Sequence, residues 1–422
     1  MPVRQFVIAC ALTLPLAACG SVAEGVTRAV LADRGDDGED TRKCTIEGED
    51  FVGLERELDA RRGSDAVLKV FMVHGIGSHA PGYSGTLSAN LAEGLGLTAR
   101  APQIKQIELK GPSFPDETLG VLSATRYSDA ARTREMIFYE LTWSSISAPA
   151  KQVIAFDSTK VYSRERASLN NLAKTWANDI LPDPLVYAGN GRLRILQSVG
   201  QGTCWALSSD WDGFPTDTRV CDTHTPGYAS RLGVDELAFV THSLGSRIVL
   251  DELQALVTLG TQPDSQLTSV RARLQAEHFT VFMLANQLPL LQAGFEPPDV
   301  VGQIPAYCRP GGSRYAQRFF DGTEIVAFSD PNDLLSYPIP DDFVQKHMDS
   351  RICPAVTNVT LNVVSVQDVP VLGELADPAG AHLDYENDPR VIALMVGGLG
   401  QPETRTVVEE RCTWQEVTED LR

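Results

Sequence analysis

Apolar runs without polar alternation separate longer amphipathic stretches along most of the chain. Runs rich in Val, Ile, Leu and Phe predict buried strands at residues 68–73, 136–141, 237–241, 280–284, 325–328 and 359–364. Apolar residues at helical spacing predict helices at residues 83–95, 164–180, 192–207, 244–259, 265–276 and 389–397. Strands that are apolar on both faces and alternate with helices are typical of a parallel sheet covered on both sides. The pattern therefore predicts an α/β fold.

The N-terminus has the composition of an export signal. Arg4 precedes an apolar run at 6–16, which is too short to be a permanent membrane span. The run ends in Leu-Ala-Ala-Cys, and this resembles the lipobox of bacterial lipoproteins. The resemblance implies a signal peptide at 1–18, an acylated Cys19 and, because Gly20 and not aspartate comes next, an outer-membrane location. An ordinary secretory signal or an apolar N-terminal helix is the alternative.

Composition and charge narrow the possibilities for the rest of the chain. Residues 19–50 are assigned to the lipidated cysteine and a polar tether, and residues 51–422 to one folded domain. With 43% hydrophobic residues, the chain has enough apolar material for one large domain with insertions. The formal net charge of −19 makes nucleic acid an unsuitable partner. No later stretch is long and apolar enough to predict a transmembrane helix.

Cysteine usage also indicates export. If Cys10 leaves with the signal and Cys19 is acylated, six cysteines remain, an even number that suits an oxidising compartment. Two pairs would close short segments and a third would join the termini. The pairs expected on this basis are Cys204–Cys221, Cys308–Cys353 and Cys44–Cys412. Other pairings and free buried cysteines remain open, and no Cys-x-x-Cys spacing indicates a zinc site.

The first motif with chemical meaning is Thr241-His242-Ser243-Leu244-Gly245, between a predicted strand and a predicted helix. It resembles the nucleophile elbow of the α/β-hydrolases, Gly-x-Ser-x-Gly, with Thr241 where the first glycine usually lies. The resemblance implies that Ser243 is a nucleophile. A serine after a strand is also a common helix N-cap, which is the alternative for the motif taken alone.

A second motif comes after the first predicted strand as His74-Gly75-Ile76-Gly77. It resembles the oxyanion-hole loop of the same superfamily, in which glycine lets the backbone approach the substrate. By that resemblance the backbone amides of Ile76 and Leu244 are the two oxyanion donors. His74, Gly75 and Gly77 then form the supporting loop. A glycine-rich turn without chemistry is the alternative.

An acid and a histidine complete the order Ser, acid, His that is typical of the superfamily. Asp330 and Asp333 both come after the predicted strand at 325–328, where the histidine-orienting carboxylate is expected. The offset favours Asp333 and leaves Asp330 as its rival; either aspartate could also be a turn residue. His382, after the last predicted strand, is the expected general base.

Together the motifs are identified as those of an α/β-hydrolase fold and imply a serine esterase or lipase that forms an acyl-enzyme. The implied partners are a small-molecule or lipid ester and the membrane reached through Cys19. No metal or organic cofactor is required. An amidase or thioesterase would use the same residues. A membrane-anchored binding or assembly lipoprotein that keeps the fold is the alternative from another class.

The longest departure from the superfamily pattern is a helical and loop insertion at 144–232. It contains an apolar helical stripe, which predicts a helix facing the core; a lid over a lipid site is the alternative. The residues of this stripe are Leu169, Leu172, Ala173, Trp176 and Ile180. The stretch 210–228, rich in Pro, Gly and Asp, is expected to be a loop near the mouth of the site.

Overall fold

A computed structural model describes residues 42–60, 65–262, 266–369 and 373–416. The predicted signal peptide, Cys19 and the first part of the tether lie outside these ranges. None of the helices in the described ranges is long and apolar enough to cross a bilayer.

Within the described ranges, ten strands form one mixed sheet and two more pair antiparallel with each other. In chain order the twelve strands are β1 (Cys44–Gly48), β2 (Leu68–Val73), β3 (Thr98–Leu109), β4 (Gly120–Ser128), β5 (Glu135–Thr142), β6 (Glu236–His242), β7 (His278–Leu284), β8 (Gly322–Ser329), β9 (Pro354–Leu361), β10 (Gln367–Val369), β11 (Gly373–Leu375) and β12 (Cys412–Glu416). The order across the sheet is β12-β1-β9-β8-β7-β6-β2-β5-β4-β3. The six strands from β9 to β5 are mutually parallel, while β4 and β3 continue the sheet antiparallel at one side. The predicted α/β class with a mostly parallel sheet is therefore confirmed.

Helices cover both faces of this sheet. In chain order they are α1 (Leu54–Asp59), α2 (Gly85–Gly94), α3 (Ala148–Val153), α4 (Ser168–Ile180), α5 (Pro182–Ala188), α6 (Arg192–Ser208), α7 (Gly245–Gly260), α8 (Arg271–Leu274), α9 (Leu288–Leu291), α10 (Ile304–Cys308), α11 (Asp341–His347), α12 (Pro378–Leu383), α13 (Pro389–Gly397) and α14 (Thr406–Arg411). The apolar sides of α6 and α7 pack in one core, and those of α1, α2 and α13 pack in the other.

Strand β2 shows why the buried strands lack polar alternation. Successive side chains of a strand point to opposite faces. Phe71 and Val73 accordingly belong to the core under α6 and α7, whereas Val70 and Met72 belong to the core under α1, α2 and α13. Because helices cover both faces, every residue of β2 is buried and apolar residues suit nearly every position.

The folded body begins earlier than residue 51, which corrects the boundary of the predicted tether. Cys44–Gly48 is strand β1, paired antiparallel with β9 and parallel with β12. Its sequence, Cys-Thr-Ile-Glu-Gly, is short and half polar, because only its alternate residues Cys44 and Ile46 point into the core. A pattern search for continuous apolar runs misses such a strand, and it misses β3, β4 and β12 for the same reason.

All three predicted disulfide pairs are confirmed. Cys44–Cys412 joins the neighbouring strands β1 and β12. Cys204–Cys221 ties α6 to the loop that comes after it, and Cys308–Cys353 ties α10 to the residue before β9. Each bridge therefore fixes a peripheral segment to the body.

The insertion between β5 and β6 carries α3 to α6, and its helix α4 departs from the prediction. Of the stripe residues with described side chains, only Ile180 is buried, whereas Ala173 and Trp176 are exposed. The expectation of a core-facing helix is wrong for these two residues. Helix α4 comes after the carboxyl end of β5, and its main contact is with α5.

The loop at 210–228 also lies elsewhere than expected. Helix α6 runs back along the sheet, and the carbonyl of Ser209 at its end accepts a 2.7 Å hydrogen bond from Lys69 near the amino end of β2. Further along, Trp211 packs beneath Lys105 and Arg126 of the antiparallel strands. The loop is therefore at the amino end of the sheet, away from the carboxyl edge where the predicted site residues lie.

Helix α7 buries Glu252, whose carboxyl group has no cationic partner of its own among the described residues. Burial, with a contribution from the charge of Asp251, raises the pKa of Glu252 to about 8 from an ordinary 4.5. Gly200 of α6 faces this carboxyl so closely that a Cβ there would lie 2.7 Å from Oε1. Between pH 4.5 and 8 the unfolded chain has released this proton while the folded chain keeps it. Stability therefore falls as the pH rises through that window.

We predict that Glu252→Gln removes this dependence. At pH 8 the variant should be more stable than the wild type by about 1–3 kcal/mol, because the neutral amide has no ionised form to penalise. Near pH 4.5 the two proteins should unfold alike. Urea unfolding at both pH values measures the difference, with the exposed Glu93→Gln as control. A variant destabilised equally at both pH values contradicts the account.

Candidate active site

Ser243 occupies a strained turn at the end of β6. Its φ of +57° lies in the left-handed region, which non-glycine residues rarely adopt and which is typical of functional sites. The Ser243 amide donates a 2.9 Å hydrogen bond to the carbonyl of Leu284 at the end of β7, and α7 begins two residues later. The strand, the turn and the helix predicted around Ser243 are all present.

Two glycines allow other backbone segments to touch this turn. A Cβ on Gly75 would lie 2.4 Å from the Cβ of Ser243, and a Cβ on Gly245 would lie 2.4 Å from the carbonyl oxygen of Val73. No other residue fits at either position without displacing the loop after β2 or the start of α7. Thr241 needs no such freedom, because its side chain is buried within β6 with its hydroxyl 3.5 Å from the Phe282 carbonyl.

His382 and Asp333 form a buried pair. The imidazole Nδ1 lies 2.7 Å from Oδ2 of Asp333, so Nδ1–H donates and Nε2 is left as an acceptor. Burial raises the pKa of the Asp333 carboxyl, but the hydrogen bond and the charge of His382 outweigh it and hold the pKa below its ordinary value. Within the described ranges, His382 Nε2 and Ser243 Oγ are both buried and neither has a hydrogen-bond partner.

Asp330, the rival acid, is used differently. Its Oδ2 accepts a 2.7 Å hydrogen bond from the amide of Val363, just after β9, and its Oδ1 accepts from the amide and side chain of Asn332. The carboxylate thus ties the turn after β8 to the end of β9. Of the two aspartates that the sequence left open, Asp333 is the one paired with His382.

His242 has a positioning role that the sequence did not reveal. Its Nε2 donates a 2.7 Å hydrogen bond to the backbone carbonyl of His382, and the two rings meet edge to face at 5.0 Å. Burial, followed by the charge of His382, lowers the pKa of His242 to about 3. His242 is therefore neutral and holds the backbone of His382 beside the strand end that carries Ser243.

The loop after β2 presents a free backbone amide. In the parts of the chain that the structure describes, neither the Ile76 amide nor the Leu244 amide donates a hydrogen bond. The Leu244 amide also lies at the N-terminus of the 16-residue helix α7, where the helix dipole favours negative charge. The two predicted oxyanion donors are thus available to an external acceptor.

His74 supports this loop. The Trp143 amide donates to His74 Nε2 at 3.1 Å, the indole Nε1–H donates to the His74 carbonyl at 3.1 Å, and the rings stack at 4.7 Å. Burial and then the charge of His79 hold the pKa of His74 well below its ordinary value. A neutral imidazole that accepts at Nε2 fits the bracing role expected for this residue.

Two carboxylates of the insertion hold the same loop, and sequence reasoning missed them. Asp183 accepts a 2.6 Å hydrogen bond from the Gly77 amide, and Asp179 accepts from the amide and hydroxyl of Ser78 at 3.1 and 2.6 Å. Lys151 bridges both carboxylates at 3.2 and 3.1 Å. Their spacing of four residues across the junction of α4 and α5 is a helical pattern that could have indicated a shared target.

A cavity of about 300 Å³ borders the site on the side of His242. Its lining mixes imidazoles and a phenol with apolar side chains, including His74, His79, Tyr83, Leu284 and Leu383. Among the described residues no group of three His, Cys, Asp or Glu side chains is arranged to hold a metal ion. The cavity is lined by His242 and Leu383, the chain neighbours of Ser243 and His382, and not by these two residues themselves.

Comparisons of the chain with protein-family models, with curated proteins and with solved structures found no match. The site combines a strained serine, a carboxylate–imidazole pair and two free amides at one edge of a parallel sheet.

We predict that Asp183→Ala loosens the loop after β2. A hydrogen bond to a charged group contributes about 1.5–3 kcal/mol, so the Gly77 and Ser78 amides should exchange with solvent about 10–100 times faster. Hydrogen–deuterium exchange of the peptide spanning 74–80 measures this, with the exposed Asp217→Ala as control. Unchanged exchange in Asp183→Ala would show that the insertion does not stabilise the loop.

Proposed function

We propose that this protein is a serine hydrolase of the α/β-hydrolase type that cleaves carboxylic esters through Ser243, His382 and Asp333. The observation that carries the proposal is the buried Asp333–His382 hydrogen bond, whose free Nε2 and the unpartnered Ser243 Oγ lie at the same sheet edge. A serine hydroxyl needs such a base, because its own acidity is too low for it to attack unaided.

The proposed reaction has two halves. In the first, Ser243 Oγ bonds to the ester carbonyl carbon while its proton passes to His382 Nε2, and His382 then protonates the departing alkoxide. In the second, water attacks the acyl-enzyme, gives its proton to His382, and Ser243 Oγ leaves with that proton. Asp333 fixes the Nδ1–H tautomer and stabilises the transient imidazolium throughout.

Charge that develops on the carbonyl oxygen is assigned to the amides of Ile76 and Leu244. Losing one such donor typically costs about 10²–10³ in rate. The fit of Gly75 against Ser243 is what would set the first donor beside the nucleophile. Asp183 and Asp179 would act as positioning residues, since they contact the loop and not the reacting atoms.

We further propose that the chain is an outer-membrane lipoprotein, with acylated Cys19 as its anchor and a small-molecule or lipid ester as its substrate. An amide or thioester substrate would use the same residues. A membrane-anchored binding or assembly protein is the candidate from another class. A binding or assembly role would give no function to the His382–Asp333 pair, the strained Ser243 or the two free amides.

Hydrolysis of p-nitrophenyl esters from acetate to palmitate tests the proposal. We expect turnover by the wild type and a loss of at least about 10³-fold in kcat with Ser243→Ala, because the acyl-enzyme can no longer form. The chain-length profile separates a short-chain esterase from a lipase. Absence of turnover by folded protein across the series would remove the proposal and leave the binding protein as the candidate.

The two aspartates provide a matched pair of variants for the same assay. Asp333→Asn should lower kcat by about 10⁴-fold, because an amide there favours the wrong imidazole tautomer. Asp330→Asn should keep kcat within about 10-fold, since Asp330 bonds Val363 and Asn332 rather than His382. A larger loss of kcat with Asp330→Asn than with Asp333→Asn would show that Asp330, and not Asp333, supports His382 in the reaction.

A further inference from the structure

Exposed apolar side chains are concentrated around one edge of the molecule. Among the described residues, 17 large hydrophobic side chains are exposed, and 14 of them lie in the segments that come after β5, β7, β8 and β9. Those segments leave the carboxyl ends of parallel strands, where Ser243, Asp333 and His382 also lie. Exposed apolar side chains that gather at one edge, rather than lying singly over the surface, are typical of an interaction site.

Several of these side chains are direct neighbours of the site residues. Leu185, 73% exposed, is two residues from Asp183, which holds the Gly77 amide. Leu334, 72% exposed, is next to Asp333, and Leu383 is next to His382 and lines the cavity. We call the most prominent members the apolar collar, which comprises Phe156, Val161, Trp176, Leu185, Leu334 and Leu383.

The segment 153–193, which carries four of the six collar residues, differs in charge from the chain as a whole. Residues 153–193 contain five Lys or Arg and four Asp or Glu, a net charge of +1, whereas the whole chain has −19. Lys160, Arg164 and Lys174 are exposed among the apolar side chains of this segment. Apolar side chains interleaved with exposed cations are suited to the boundary between acyl chains and phosphate headgroups.

The chain also enters the fold at this edge. Cys44, the first residue of β1, pairs with Leu361, the last residue of β9, so β1 starts at the carboxyl ends of the parallel strands. Arg42 donates to the carbonyls of Asn362 and Val363 there and pairs with Asp388 at 3.5 Å. The described chain therefore begins at the carboxyl edge of the sheet, and 22 residues separate Arg42 from Cys19 in the sequence.

We infer that the apolar collar rests on a phospholipid surface, so that the mouth of the site faces the membrane to which Cys19 is joined and its substrate is an ester of that surface. The substrate assignment rests on the proposed hydrolase and on the proposed anchor. The docking itself rests on the collar, the charge of residues 153–193 and the edge at which the chain enters. A 22-residue segment reaches at most about 75 Å, which keeps the collar within reach of its membrane.

The test uses the chain from Ser21 onward, which has no acylation site and retains every described residue. Vesicles of phosphatidylcholine and phosphatidylglycerol are sedimented with it, and quenching of Trp176 by brominated phosphatidylcholine is recorded. We expect binding and quenching by the wild type. The doubly substituted Val161→Asp/Leu185→Asp should lose at least about 10-fold in partitioning, since both side chains are exposed, at 91% and 73%, and would otherwise enter the lipid.

The matched control is Leu259→Asp, a 53% exposed leucine at the far end of α7, which should bind like the wild type. Three results would each overturn the inference. The wild-type protein does not sediment with vesicles, the Leu259→Asp control loses as much binding as the collar variant, or the protein sediments without quenching of Trp176. A wild-type protein that is dimeric, with a collar variant that is monomeric, would also overturn the inference, because the collar would then be an interface between two copies of the chain.

Hydrolysis of soluble p-nitrophenyl acetate separates failure of the docking from failure of the proposed function. The collar variant should keep the wild-type rate on this substrate. Its substituted residues are distinct from Ser243, His382 and Asp333 and from the two residues that supply the oxyanion amides. If the protein binds vesicles but has no esterase activity, the docking inference stands and the proposed hydrolase function is rejected. Esterase activity without vesicle binding would retain the hydrolase and remove the docking.

Discussion

The site depends on a close contact between two backbone segments, the loop after β2 and the turn after β6. Neither Gly75 nor Gly245 leaves room for a Cβ, since each added atom would lie 2.4 Å from a neighbouring heavy atom. This contact holds Ser243 at a φ of +57°. Strain of this kind costs on the order of 1–3 kcal/mol and persists only where the surroundings enforce it. The parallel pairing of β2 and β6 supplies the enforcement, because it fixes both segments at one edge.

The remaining site residues are held by polar contacts from separate parts of the chain. His382 is held at two points: Asp333 bonds its imidazole ring, and His242 bonds its backbone carbonyl. The predicted oxyanion loop is held by Trp143 through His74 and by Asp183 through Gly77. The insertion therefore contributes to the site through the position of the loop, and it also carries most of the exposed apolar surface around the site.

Much of the fold could be predicted from the sequence, because the parallel strands are buried on both faces and appear as continuous apolar runs. The motif around Ser243 and the order of the acid and histidine could likewise be read directly. The strands β1, β3, β4 and β12 could not, since they lie toward the sides of the sheet and their sequences are partly polar. Ala173 and Trp176 of α4 were misassigned, because an apolar stripe does not reveal whether other elements cover it. The sequence offset favoured Asp333, but the use of Asp330 could not be predicted, because its bond to Val363 spans 33 residues and no local pattern encodes it.

Labelling with a fluorophosphonate shows whether Ser243 is an activated nucleophile, because such a probe forms a covalent bond only with an activated serine. The account predicts one phosphonyl group per chain by intact mass, mapped to the peptide that contains Ser243. The label should be absent from Ser243→Ala and sharply reduced in His382→Ala. A folded wild-type protein that takes up no label, or that takes it up at another residue, would contradict the account.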